Sequence, residues 1–152
     1  MNHPPENPPP RPTHAGLKLV GELRGEALRL GFSRVGVAAA VPPPNHGAFR
    51  GWLAAGLAGS MQGWLERHEP LRRNLDAILP GASSVVMLAT DYAVGDSPAA
   101  ESVPPGAGRV ARYARGDDYH DLLRERLSAL AGWLEVRVPG TRACGVVDSA
   151  PL

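Results

Sequence analysis

The chain has 152 residues, a formal net charge of +1, 43% hydrophobic and 20% charged residues, and one cysteine, Cys144. This length suits one domain with a real core and is too short for two domains of ordinary size. The near-neutral charge does not indicate a general nucleic-acid binder, and a single cysteine excludes a disulfide framework and a cysteine-ligated iron–sulfur cluster within the chain.

The first thirteen residues, Met1–Thr13, are polar and rich in proline, which predicts a disordered leader. They lack the apolar stretch of a secretory signal. No run of about twenty apolar residues follows, so the sequence predicts no membrane span and a cytoplasmic protein.

The first helix is predicted to begin at Thr13 or His14, because apolar residues then recur three and four positions apart. These residues are Leu17, Val20, Leu23, Ala27 and Leu30. Gly31 is placed to end the helix by adopting a positive φ. Arg34–Ala40 is apolar after its first residue and predicts a short buried strand.

Two short helices are predicted next, at Gly47–Ala55 and Met61–Arg67. Their tryptophans, Trp52 and Trp64, are interpreted as closing the core between small helices. Stacking on a cofactor or on nucleic-acid bases is the alternative interpretation. His68 is predicted to cap the carbonyls at the end of the second helix.

A helical turn is predicted over Leu71–Pro80, where Arg72 and Arg73 would be surface charges on sequence grounds alone. Ser84–Thr90 is rich in β-branched residues and predicts a strand in the middle of the sheet. The loop that follows, Ala93–Ala107, is interpreted either as a lid that orders on ligand binding or as a passive surface insertion.

The densest chemistry lies in Gly108–His120, which reads GRVARYARGDDYH. A strand at Arg109–Tyr113 and a long helix at Asp118–Glu135, capped by Asp117 or Asp118, are predicted. A basic strand that leads into a helix N-terminus suits an anionic ligand, although a solvated charged junction has the same pattern.

A last strand is predicted at Ala143–Val147, followed by Asp148 at its carboxyl end, where α/β sheets tend to place ligands. Asp148 could equally cap a turn. No metal site is predicted, because Asp117, Asp118 and His120 have no second histidine or cysteine at ligand spacing. The fold class is α/β, a small mixed sheet of four strands flanked by four or five helices.

Several segments together resemble one known family. GRVARYARGDDYHDLLRERL and VDSAP, preceded by LGFSRVGVA and MQGWLERHEPLRRNLDAILPGASSVVMLATDY, occur in the order typical of the amino-terminal part of epoxyqueuosine reductase. The resemblance runs from Leu17 to Leu152, so it implies an amino-terminal α/β domain over residues 14–152 that is incomplete at its carboxyl end. This enzyme reduces the epoxide of epoxyqueuosine in tRNA to queuosine with cobalamin as cofactor.

The resemblance also implies roles for individual residues. Arg72, Ala111 and Asp148 correspond to positions that face the cobalamin, and Asp148 corresponds to the proton donor. Tyr119 and His120, in the DYH segment, correspond to pocket positions, with core packing and a surface hydrogen bond as their alternatives. No protein histidine is expected to reach the cobalt.

Members of this family also carry two [4Fe–4S] clusters, whose cysteine ligands are absent from this chain. The resemblance therefore implies a truncated product, or a carboxyl-terminal half that is encoded separately. The chain alone is expected not to turn over, and to expose an apolar flank where the remainder would pack. The alternative is a non-catalytic remnant or module that contacts tRNA or a partner protein.

Overall fold

A computed structural model of the protein describes residues 13–92, 106–108, 110–114 and 116–147. These residues form four helices and two strands: α1 (His14–Arg29), β1 (Arg34–Ala39), α2 (His46–Ala54), α3 (Gln62–Arg73), β2 (Ser84–Ala89) and α4 (Tyr119–Arg137). Single 3₁₀ turns lie at Gly59–Met61, Leu75–Ala77 and Arg112–Ala114. The expected α/β class with four or five helices is confirmed, and the described residues contain four.

The two strands form an antiparallel pair, in which Val35 lies opposite Leu88 and Gly36 lies opposite Met87. Opposite residues of an antiparallel pair point to the same face of the sheet. Each face of this sheet therefore has its own set of side chains. The face that carries Val35, Val86 and Leu88 packs on the core. The other face carries Met87, which is 66% exposed.

The core lies between α1, α4 and this sheet. Its buried side chains come from both helices and from the turn after α1: Leu23, Ala27, Phe32 and Leu130. Half-buried residues of α4 surround them, namely Leu123, Leu127 and Trp133. Leu53, in α2, is buried as well.

The helix boundaries differ little from the predicted ones, except in α3. Thr13 caps α1 by accepting a hydrogen bond from the N–H of Gly16 at 3.1 Å. Asp118 caps α4 in the same manner, as predicted. α3 continues to Arg73, beyond the predicted end at Arg67, even though Pro70 lies inside it.

Two of the four predicted strands are wrong in the described part of the chain. The segment predicted as a strand at Arg109–Tyr113 instead enters the 3₁₀ turn at Arg112–Ala114. Ala143–Val147 has no regular secondary structure. Both segments lack a neighbouring strand to pair with, and the sheet consists of β1 and β2 alone among the described residues.

Three sequence predictions lie outside the described residues. They are the proline-rich leader up to residue 12, residues 93–105 of the long loop, and Asp148.

Candidate functional site

Arg72 is held between two aromatic rings. It lies on α3, and its guanidinium carbon is 5.1 Å from the ring centroid of Trp64, two turns earlier on the same helix. The same carbon is 5.9 Å from the ring centroid of Phe49 on α2. Both distances are within the range of a cation–π contact. The side chain is therefore not the plain surface charge that sequence grounds alone suggested, whereas Arg73 beside it is exposed.

One nitrogen of this guanidinium, Nη1 of Arg72, is buried and has no hydrogen-bond partner among the described residues. Burying a charged donor without an acceptor is unfavourable by about 1–3 kcal/mol or more. A ligand with an acceptor oxygen would remove that cost. This observation fits a contact between Arg72 and the polar periphery of a bound cofactor.

The two tryptophans have different surroundings. Trp52 is 39% exposed, so its assignment to the core is wrong. Its ring stacks on Phe49, with centroids 6.2 Å apart and an angle of 22° between the planes. Trp64 is half-buried and contacts both Arg72 and the ring of His68, whose centroid is 4.6 Å away.

Two histidines, His68 of α3 and His46 of α2, also belong to this cluster. His68 lies inside α3 and not at its end, and its Nδ1 is 2.7 Å from the carbonyl oxygen of Trp64. His46, the first residue of α2, places Nε2 2.6 Å from Oε1 of Glu69 on α3. Nε of Arg50 is 3.7 Å from the same oxygen. No pattern in the sequence predicts the His46–Glu69 pair, because its members are 23 residues apart and follow no motif.

A second group of residues lies where β2 ends. The side chains that line a shallow cleft there are Arg34, Thr90, Asp91 and Tyr92. Oγ1 of Thr90 is buried and has no hydrogen-bond partner among the described residues. The backbone N–H of Asp91 donates to Oγ of Ser33 at 2.9 Å, which ties the end of β2 to the start of β1.

Aromatic rings link this end of β2 to the start of α4. Tyr92 contacts Tyr113 edge-on at 6.1 Å between centroids, and Tyr113 contacts Tyr119 at 5.9 Å. Tyr119 stacks on His120 at 4.1 Å. Ala111 belongs to this segment; its side chain is exposed, and its carbonyl oxygen accepts a hydrogen bond from the N–H of Ala114 at 3.0 Å.

Asp118 organises the start of α4. Its Oδ1 accepts a hydrogen bond from the backbone N–H of His120 at 2.9 Å and lies 2.7 Å from Nδ1 of the same residue. The backbone hydrogen bond is the larger cause, and the ring contact adds to it, so the pKa of Asp118 lies below its usual value. Asp118 therefore stays ionised and holds the DYH segment in a helical turn.

The segment that leads to Asp148 is fixed to the rest of the structure at three points. The N–H of Ala143 donates to Oε1 of Glu135 at 3.0 Å, and Nη2 of Arg142 donates to the carbonyl oxygen of Pro80 at 2.8 Å. Gly145 packs so closely on Leu127 that a Cβ atom there would lie 2.6 Å from Cβ of Leu127.

The predicted cofactor-facing residues fall into separate groups. Arg72 contacts side chains of α2 and α3, whereas Ala111 lies in the segment between β2 and α4. Within the described ranges, no hydrogen bond, ion pair or ring contact joins Arg72 to that segment.

The residues present do not fit an iron–sulfur cluster. The whole sequence contains one cysteine, the exposed Cys144, whereas such clusters are held by four thiolates. The described residues also contain no group of three histidine, cysteine, aspartate or glutamate side chains that could hold a metal ion. In the same part of the chain, every helix is too short or too polar to cross a membrane.

Comparison with known proteins identifies relatives of this chain. Residues 72–149 match the family model described as Epoxyqueuosine reductase QueG, DUF1730. An epoxyqueuosine reductase of Gloeobacter violaceus is 41% identical over 133 residues, which are 86% of this chain and 40% of the relative. The enzyme of the same name from Escherichia coli is 32% identical over 136 residues, 89% of this chain and 36% of the relative.

A solved structure agrees in fold. The crystal structure of selenomethionine-labeled epoxyqueuosine reductase superposes with a TM-score of 0.56 at 24% identity, covering 82% of this chain and 33% of that one. This chain thus spans about 40% of the length of the curated relatives that it matches. The family match includes Arg72, Ala111 and Asp148 and covers half of the sequence, so the chain belongs to the epoxyqueuosine reductase family.

Proposed function

We propose that this chain is the amino-terminal part of an epoxyqueuosine reductase and forms one side of its cobalamin site. The substrate is tRNA that carries epoxyqueuosine. The observation that carries the proposal is the guanidinium of Arg72, whose buried Nη1 has no acceptor among the described residues. Family membership supports the reaction assigned to the site.

Arg72 would hold the cofactor through a hydrogen bond from Nη1 to one of its acceptor oxygens. Ala111 would contribute only its small side chain, whose exposed methyl group leaves room for a flat ring. Its carbonyl oxygen already accepts a hydrogen bond from the N–H of Ala114. Neither side chain can coordinate a metal ion, so neither would bind the cobalt. Cobalamin, when bound, supplies the reducing electrons.

We also propose Asp148 as the proton donor and as a cofactor-binding residue. Conversion of an epoxide into an alkene breaks two C–O bonds, takes up two electrons and two protons, and releases the oxygen as water. Asp148 delivers a proton to that oxygen as it leaves. A carboxylic acid does this near neutral pH when burial or nearby negative charge raises its pKa.

The remaining parts of the reaction lie outside this chain. The single cysteine cannot bind the clusters that bring electrons to cobalamin in the family. We therefore infer that turnover requires a carboxyl-terminal part, supplied by a separate polypeptide or a longer form of the protein. Epoxyqueuosine reduction by the purified chain without such a part would contradict this inference.

Titration with cobalamin, followed by visible absorbance, tests the cofactor site. Arg72→Ala is expected to weaken binding about tenfold or more, because it removes a hydrogen bond from a charged donor worth about 1.5–3 kcal/mol. Arg73→Ala is the matched control, since it removes an exposed arginine from the next position. It should bind like the wild type.

Equal, negligible binding by wild type and both variants would contradict the proposal and favour a non-catalytic module that contacts tRNA or a partner protein.

The role of Asp148 needs a separate measurement. With the carboxyl-terminal part added, Asp148→Asn should abolish epoxide reduction, because the amide cannot deliver a proton. Unchanged reduction would exclude Asp148 as the donor.

A further inference from the structure

The side chain of Arg72 is half-buried beside two aromatic rings. Among the described residues it makes no ion pair, and its visible contacts are the rings of Phe49 and Trp64. Yet Glu69 lies three residues earlier on the same helix, at the spacing where carboxylates and arginines commonly pair. Another contact of Glu69 must therefore explain why its carboxylate does not pair with Arg72.

His46 accounts for this separation. Its Nε2 lies 2.6 Å from Oε1 of Glu69, and both side chains are largely shielded from solvent, at 15% and 22% exposure. Nε of Arg50, one turn along α2, is 3.7 Å from the same oxygen. The carboxylate of Glu69 is therefore held by two side chains of α2.

The same helix supplies one of those rings. Phe49 lies three residues after His46 on α2, and their ring centroids are 6.3 Å apart. One face of α2 therefore makes two contacts with α3: it binds Glu69 through His46 and it covers Arg72 through Phe49. Trp64 completes the enclosure of Arg72 from α3 itself.

We propose that His46 is a positioning residue, which holds Glu69 away from Arg72 so that the ring-supported guanidinium can donate to an acceptor oxygen of the ligand. This inference rests on the proposed function, because the ligand is the cobalamin assigned there. A carboxylate that paired with Arg72 would compete with the ligand for the same donor.

A double-mutant cycle on cobalamin binding tests the proposal. His46→Ala releases Glu69 and is expected to weaken binding about twofold to fivefold, the range of a competing partly exposed ion pair. Glu69→Gln removes the competitor and should bind like the wild type. The combination of His46→Ala with Glu69→Gln should recover wild-type affinity, although it disrupts more contacts than either single change.

This recovery separates positioning from a structural role. If His46 mattered only for packing α2 on α3, the combined variant would bind no better than His46→Ala, and the proposal would be wrong. If Arg72→Ala itself left binding unchanged, the proposed cofactor contact would fail instead. The two failures are thus distinguishable in one set of titrations.

A second measurement needs no ligand. In the NMR spectrum of the wild-type chain, the Arg72 side-chain protons should be shifted upfield by the ring currents of Trp64 and Phe49. His46→Ala should reduce the shift where it folds, because Glu69 then draws the guanidinium from the rings. Unshifted Arg72 protons in the wild type would overturn the proposal.

Discussion

Gly31 lies in the turn after α1 and is in close contact with Arg126 of α4. It follows α1 with φ of 90°, a conformation that side chains with a Cβ rarely adopt. A Cβ atom there would also lie 2.9 Å from the guanidinium carbon of Arg126, whose Nη1 donates to the carbonyl oxygen of Gly31 at 3.0 Å. The turn after α1 and its contact with α4 both depend on the missing side chain.

We expect Gly31→Ala to lower the free energy of unfolding by about 1–2 kcal/mol, because it forces alanine into the left-handed region. Gly25→Ala is the matched control: Gly25 lies inside α1, with open space around it. That change should raise stability by about 0.5–1 kcal/mol through helix propensity. Urea denaturation measures both. A Gly31 variant as stable as the Gly25 variant would contradict the prediction.

The sequence predicted the turn at Gly31 but not its neighbour, Arg126, 95 residues away. In the candidate site, too, a local feature was predicted and a distant contact was missed. Arg72 was singled out through the resemblance of its segment to a family, whereas the His46–Glu69 pair was missed. A contact between two helices depends on how they pack, and no local spacing in this chain encodes it.

At the scale of elements, an ion pair reinforces the packing of α1 on α4. Nε and Nη2 of Arg137 donate to the two carboxylate oxygens of Glu22 at 2.6 and 2.9 Å. The hydrogen bond from Arg137 is the main cause that holds the pKa of Glu22 below its usual value of 4.5. The pair is near the surface, so its effect on stability should be small.

The lowered pKa of Glu22 predicts how this effect depends on pH. Glu22 is ionised in both states above pH 4.5, so its contribution is complete there, and it disappears as pH falls through the lower native pKa. Glu22→Gln should therefore lower Tm slightly at pH 7 and match the wild type in strong acid. Glu125→Gln, on the exposed side of α4, is the control and should show no such convergence. A constant Tm difference across the pH range would refute the prediction.

Helices were predicted more reliably than strands for a physical reason. The hydrogen bonds of a helix are local, so the apolar period located α4 within two residues of its observed ends, Tyr119 and Arg137. A strand requires a partner. Val110–Tyr113 and Ala143–Val147 have suitable residues but no strand beside them among the described residues. α3 is longer than predicted, because the helix continues through Pro70 to Arg73.

At the scale of the molecule, little of the described chain is fully buried. The buried side chains there are five apolar residues: Leu23, Ala27, Phe32, Leu53 and Leu130. One face of the two-stranded sheet is open, with Met87 exposed between Val85 and Ala89. Two strands with an open apolar face are marginal in water and tend to pair with other chains. The relatives, more than twice as long, have further chain that could cover such a face.

We expect this open face to drive self-association, and Met87→Lys to reduce it. Met87 is 66% exposed and lies opposite Gly36, so a lysine has room to extend into water without disturbing the core. A charge at the centre of the face would oppose both apolar contact and edge pairing. Sedimentation velocity over a range of concentrations measures the effect.

Val136→Lys is the matched control for this change. Val136 is 83% exposed on α4, so the variant adds the same charge away from the sheet. Association should persist in the Val136 variant and weaken in the Met87 variant, with Tm unchanged in both. If both variants associate as the wild type does, another surface holds the copies together. If both weaken equally, net charge is responsible and the sheet face has no special role.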